Sequence, residues 1–425
     1  MQLPSAPRRR REISALLEFG AASAHPYGFG YLDDDATLLT DRGIPLWITC
    51  RMTHCFALAS MLPAGYLPHS AGGRGAAGGS GGSAPGRSST ALDFAALAEH
   101  GVRALQTHFK DAEFGGFYAL LDPASGEPTN ARKEGYGHAF VVLAASSAVA
   151  AGVPGARDLL ADALITSTER WWDEDAGMVY ESYNRDFSER EDYRGVNAAM
   201  HTTESYLAAA GVTGDDEYLH RAVRMVERVV GQLAPAHGGY LPEHLDANYQ
   251  PMLDFNVDAP ADPFRPYGAT PGHWFEWGRL ALQMVAECEA RGLDVNADIA
   301  RQARAFIARG TELFGCDGAD GWVYTVDFAG QPVVRERMHW VACEAFAAGV
   351  AADPQLAAQA WSVIERYFID RPGQWFHELD AANRPAPTVW PGKPDIYHAV
   401  QALLFPDVPL APAFACAVST IDPKV

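Results

Sequence analysis

One short pattern recurs six times along this chain: a glycine, a strand-like aromatic run and, usually, a closing aspartate. It reads Gly30-Tyr-Leu-Asp33, GGFYALLD at 115–122, GMVYESYNRD at 177–186, GGYLPEHLD at 238–246, GWVYTVD at 321–327 and GQWFHELD at 373–380. Each copy has the chemistry of one arm of a short hairpin or turn. Asp33, Asp122 and Asp246 end their arms as turn residues rather than catalytic ones. Between the copies lie stretches rich in Ala, Leu and Glu whose apolar residues recur at three and four, the helical period. They run over 91–109, 138–151, 156–172, 198–210, 216–233, 274–290, 297–314, 340–351 and 354–368. A unit of two helices and a hairpin, roughly 50–60 residues, cannot bury its own apolar face, so neighbours must stack. Six such units can close into a ring with inner and outer helices. The fold expected is all-α, an (α/α)6 toroid taking residues 1–425 as one catalytic domain, with short β-hairpins at one mouth. A linear helical solenoid is the second choice. Closure is favoured because it gathers the aromatic loops around one pocket.

The low-complexity segment at 71–90 interrupts this order and is expected to be a flexible loop insertion. Gly73, Gly75 and Gly78 match a GxGxxG pattern there, and Gly78, Ser80 and Gly82 match GxSxG. Neither carries weight, because a phosphate loop or nucleophile elbow needs a strand before it and a helix after it.

Polar residues gather at or just before the starts of alternate helices, one cluster per repeat. They are Trp47 to His54, Tyr136 to His138, Asn197 to Glu204, Arg265 to Trp277, His339 to Glu344, and Trp390 to His398. In a ring the same end of every inner helix faces one cavity, so the six clusters converge. His273 and Glu276 share a helix face, and His201 with Glu204 repeats that spacing. A carboxylate one turn from an imidazole can fix its tautomer and raise its basicity, which suits acid–base work near neutral pH. Trp47, Trp340 and Trp390 beside Arg, Asn and His suit a sugar, whose C–H faces stack on rings while its hydroxyls seek polar partners. The H-x-x-E spacing could also supply two metal ligands, but no HExxH or cysteine-rich spacing accompanies it, so no metal is expected.

The formal charge of −20, from 33 basic and 53 acidic residues, argues against nucleic acid as a partner. The one basic run, Arg8 to Arg11, reads as a solvated first helical turn after Pro7. No apolar stretch reaches membrane-spanning length and no secretory leader pattern is seen. Six scattered cysteines without a CxxC pair fit reduced thiols in the cytoplasm.

The segments TCRMTH, GYGHAF, NAAMHTTE, PGHWFEW and GKPDIYH resemble the N-acylglucosamine 2-epimerase superfamily, over roughly Trp47 to Gln401 plus the Gly30 hairpin. The resemblance is strongest to its aldose–ketose isomerase branch, which handles mannose or sulfoquinovose. It implies an (α/α)6 barrel without metal or organic cofactor, a monosaccharide substrate, and proton transfer between C1 and C2 through a cis-enediol. In that picture His273 and His398 are the acid/base pair, with His398 as the C1/C2 shuttle and Glu276 orienting His273. Trp47, Arg51, Tyr136, Asn197, His201, Arg265, Trp340 and Glu344 would line the sugar site. Arg51 and Arg265 could equally hold a C6 sulfonate, which keeps sulfoquinovose as the close alternative. A sugar 2-epimerase and a six-hairpin glycosidase are more distant ones, and a homo-oligomer is compatible with this reading.

Overall fold

The computed structural model describes residues 3–68 and 92–422. The glycine-rich segment at 71–90, with its two motif look-alikes, lies outside the described residues. The inner helices are Leu46–Met61, Gly135–Ala150, Val196–Thr213, Pro271–Arg291, His339–Ala352 and Tyr397–Leu404. Each packs on the next, and the last packs on the first, so the ring is closed. Most are apolar around nearly their whole circumference, as a helix flanked on every side must be. The outer helices are Ala6–Ala21, Phe94–Ala104, Ala156–Thr166, Asp216–Arg228, Ile299–Glu312 and Pro354–Val363. These are one-sided. Asp216–Arg228 buries Leu219, Ala222, Met225 and Val226, and its N-cap Asp215 accepts from the Glu217 amide. Gly349 lets an inner and an outer helix approach closely, since a Cβ there would sit 2.3 Å from the Ala357 nitrogen.

Four outer helices widen into a π turn before the recurrent motif: Leu105–Phe109, Ser167–Trp171, Val229–Leu233 and Ile364–Phe368. The motif then supplies an arm that pairs with the residues just before the preceding inner helix. Leu120–Leu121 pairs with Ile44–Pro45, Ser182–Tyr183 with Lys133–Glu134, and His244–Leu245 with Arg194–Gly195. Glu378–Leu379 pairs with Arg337–Met338, and Val326 bridges Ala269. The arm's aspartate then turns the chain: Asp33, Asp122, Asp246, Asp327 and Asp380 each accept from amides two to four residues on. These clasps hold the N-terminal ends of the inner helices at one mouth.

The sixth unit joins distant segments. Leu32 bridges Lys393, and Ala6–Ala21 packs against Tyr397–Leu404. Arg9 departs from the expected solvated turn. It is buried, donates to the Leu403 carbonyl at 3.2 Å and pairs with Asp407, which also accepts from Tyr66 at 2.6 Å. No described helix is long and apolar enough to cross a membrane.

Candidate active site

A cavity of about 670 Å3, counted to its open mouth, lies where the inner helices begin. Trp47, Arg51, Tyr136, Asn197 and His201 line one side of it. His273, Glu276, Trp340 and His398 complete the expected set at its wall, while Arg265 and Glu344 do not reach it.

His273 sits in the first turn of Pro271–Arg291, after the N-cap Thr270. Its Nδ1 lies 2.8 Å from Glu243 Oε2, and the other oxygen of Glu243 accepts from the Thr270 amide at 3.1 Å. A carboxylate accepts only, so Nδ1 carries the proton and the Nε2 lone pair is left for a ligand. The partner of His273 is thus Glu243 and not Glu276, the residue its helical spacing suggested. The Glu276 side chain leaves the same helix toward the barrel axis, where its Oε1 is 3.8 Å from His201 Nδ1.

His398, in the first turn of the last inner helix, repeats the arrangement. Its Nδ1 is 2.9 Å from Glu344 Oε1, and Arg279 Nε donates to Glu344 Oε2 at 3.0 Å. Glu344 therefore acts from behind His398 rather than from the cavity wall. Both imidazoles lean on the Trp340 indole, with ring centres 5.2 Å and 5.6 Å away. Trp340 fits there because residue 272 is glycine, where a Cβ would come within 2.4 Å of the indole. Burial, with Arg51 adding to it, pushes His398 well below the usual imidazole range, so the ring is a neutral base at pH 7.

At and below the cavity floor lie three buried glutamates, two of which share the Arg279 guanidinium. Arg279 Nη2 is 3.7 Å from Glu276 Oε1, and Arg279 also holds Glu344. Glu204 accepts from Tyr397 and from Gln401 at 3.2 Å, with His201 Nδ1 3.6 Å away. Glu276 is fully buried and neither of its oxygens has a hydrogen-bond partner. Burial, then the nearby Glu344, push its carboxyl well above the usual range. Burial raises Glu344 too, opposed by Arg279, but Glu344 has donors on both oxygens. Glu276 is therefore the member that keeps a proton. Burial alone would raise Glu204 as well, but His201, Arg279 and Tyr397 hold it below the carboxylate range. Burial likewise lowers His201, to about 4.

Both arginines already face a carboxylate. Arg51 donates to Asp395 at 3.0 Å and to the Tyr136 hydroxyl at 2.9 Å. Arg265 lies outside this cavity, clamped on Glu191 at 2.8 and 3.1 Å and stacked on Tyr193. It borders an outer chamber of about 1460 Å3 instead. Its neighbour Phe264 lines both spaces and packs edge-on against Trp47, Tyr136 and Trp390.

Sequence reasoning missed Glu243, Tyr324, His377 and Phe264, and assigned no role to His339. A signal for three of them exists in the recurrent arm. The bridging residues Tyr183, Leu245, Val326 and Leu379 occupy one register. Two residues before each stand Glu181, Glu243, Tyr324 and His377, and all four border the cavity, the outer chamber or a cavity-wall imidazole.

Among the described residues two groups have donor atoms near enough to share a metal, His201–Glu204–Glu276 and Glu276–Glu344–His398, each within 4.8 Å. The Arg279 guanidinium already sits against Glu276 and Glu344, and Tyr397 and Gln401 against Glu204. A divalent ion would have to displace those groups.

The family model of the N-acylglucosamine 2-epimerases (GlcNAc 2-epimerase) matches residues 86–402. A D-mannose isomerase of Pseudomonas cannabina pv. alisalensis is 41% identical over 421 residues, 97% of this chain and 94% of that protein. One from Thermobifida fusca is 39% identical, with 96% of each chain covered. The crystal structure of a D-mannose isomerase superposes with a TM-score of 0.78 at 22% identity, covering 93% of this chain and 95% of the other.

Proposed function

The chain belongs to the N-acylglucosamine 2-epimerase family, and from that premise we propose that it is a D-mannose isomerase, interconverting mannose and fructose. The observation that carries this reading is the pair of cavity imidazoles, His273 and His398, each tied at Nδ1 to a glutamate. Isomerisation needs a base to take the C2 proton while a donor protonates the C1 carbonyl oxygen, giving the cis-enediol. Returning a proton to C1 and removing one from O2 then leaves the ketose. We assign the C1/C2 proton to His398, whose burial keeps it neutral and ready to accept. His273 opens the pyranose ring by moving protons at the ring and anomeric oxygens. Glu276, held neutral, is a hydrogen-bond donor for a growing oxyanion. Trp340 and Trp47 offer faces to the sugar's C–H groups.

A neutral sugar is favoured over a sulfonated one because Arg51 and Arg265 are both already paired with carboxylates. Both histidines and the wall beside them are the chain's own, and the chemistry drawn from them calls on no metal or organic cofactor. A reducing compartment suits the four buried thiols at 50, 55, 288 and 343. The test is to incubate the EDTA-treated protein with mannose in deuterated water and follow products by proton NMR. Fructose should appear, and His273→Ala or His398→Ala should abolish it while leaving thermal melting intact. An active double variant, or a wild type that leaves mannose unchanged, refutes the proposal.

A further inference from the structure

Beside His201, His273 and His398 the cavity holds a fourth and fifth imidazole that the mechanism does not use. His339 and His377 both line it, with rings 4.0 Å apart and 25° from parallel. His339 opens the inner helix His339–Ala352, and its Nδ1 is 3.3 Å from the His377 carbonyl oxygen. That carbonyl accepts only, so the contact orients the His339 ring and holds it under its neighbour. His377 differs in one respect. Its ring makes no hydrogen bond with any described residue, its nitrogens are not among the buried partnerless atoms, and the residue lines this cavity as well as a neighbouring pocket beside Lys393. Burial, then His339 beside it, push His377 well below the usual imidazole range, which leaves a neutral ring with one donor and one acceptor.

Its place in the fold gives a second, independent reason. His377 stands two residues before Leu379, the position that holds Glu243 and Tyr324 in the two preceding arms. Glu243 grips His273, and Tyr324 walls the cavity. The same register therefore delivers a side chain to the ligand space or to an imidazole on its wall in three consecutive repeats.

We propose that His377, stacked on His339 as its positioning residue, is a substrate-binding group that exchanges hydrogen bonds with a hydroxyl of a neutral sugar. A neutral ring with one donor and one acceptor matches a hydroxyl, which is also both, and offers nothing specific to a sulfonate or carboxylate. The inference rests on the isomerase reading for its substrate class but is tested apart from turnover.

The probe is 1,5-anhydromannitol, which keeps the ring and the hydroxyls at positions 2, 3, 4 and 6 but has no carbonyl to isomerise. Its affinity is read from the fluorescence of the cavity tryptophans. His377→Phe keeps a ring on His339 and removes both nitrogens. It should weaken probe binding and raise the mannose KM about tenfold, the loss expected for one hydrogen bond in a closed site, with kcat within about threefold. His377→Gln should recover most of the affinity. In the wild type, ring 15N resonances of His377 should move when the probe binds, a readout that does not depend on any variant folding. Probe affinity within twofold of wild type in His377→Phe, or unmoved His377 resonances, overturns the inference. A wild type that binds the probe through His377 yet leaves mannose unchanged would sink the isomerase reading and keep this one.

Discussion

Replacing Glu243 by glutamine should cripple the enzyme more than the same change at Glu276, although only Glu276 belongs to the H-x-x-E pair. Glu243 spends one oxygen on His273 Nδ1 at 2.8 Å and the other on the Thr270 amide at 3.1 Å. Glutamine can satisfy the amide through its carbonyl, which turns its NH2 toward Nδ1. That donor forces the proton to Nε2, the nitrogen that must accept one. The charge-assisted bond lost is worth about 1.5–3 kcal/mol, or roughly 10- to 150-fold in kcat. Burial and the nearby Glu344 favour the protonated form of Glu276, whose amide is nearly isosteric with it in charge and shape, so kcat should stay within about threefold. The assay is initial fructose formation across mannose concentrations, separating kcat from KM. Imidazole 15N shifts report whether the His273 proton has moved to Nε2 in Glu243→Gln. If Glu276→Gln loses as much kcat as Glu243→Gln, or if the His273 tautomer stays put, the assignment of partners is wrong.

His138, held neutral down to about pH 4 by burial and bonded through Nε2 to the Ala163 carbonyl, gives a pH test away from the chemistry. The unfolded chain takes a proton at this residue below about pH 6.5 and the folded chain refuses it. Wild type should therefore lose up to ~1.4 kcal/mol per pH unit relative to His138→Gln between pH 6.5 and 4. Urea titrations at pH 7 and pH 5 measure this, and a gap between the two proteins that does not change with pH contradicts it. Asp395→Asn should cost about 3–5 kcal/mol of stability by leaving the buried Arg51 guanidinium unpaired, seen as an earlier melting transition. Gly272→Ala should displace the Trp340 indole from the His273 and His398 rings, lowering kcat and shifting tryptophan fluorescence, while Gly292→Ala, which has open space around it and strains only its own left-handed backbone, should lower the melting temperature without changing either.

The ring was legible because its parts repeat. Six arms and nine helical stretches mark the units, and the stretches ending at 109, 172, 233 and 368 stop within a residue of the π turns. The inner helices Leu46–Met61 and Tyr397–Leu404 are marked in the sequence by their polar clusters at 47–54 and 390–398 instead of by a helical period. His273 and His398 were legible from the polar clusters at helix starts. Glu243 was not, because its partner lies 30 residues on and is reached only when the arm folds over the neighbouring helix. Arg265 looked like a ligand contact for the opposite reason. It sits in a motif beside His273, but its binding partner Glu191 is 74 residues back, and that contact turns the guanidinium toward another chamber.

The clasp between Leu32 and Lys393 and the pairing of Ala6–Ala21 with Tyr397–Leu404 have a consequence for biosynthesis. On the ribosome the helix Ala6–Ala21 emerges with this partner still 394 residues away, counted from Arg9 to Leu403, so the face that meets it stays uncovered until the last inner helix is made. His398 arrives on that same last partner. A nascent chain stopped anywhere before it lacks one of the two glutamate-tied imidazoles of the cavity and has an open ring edge. Completion of the circle and completion of the imidazole pair are, for this protein, the same event.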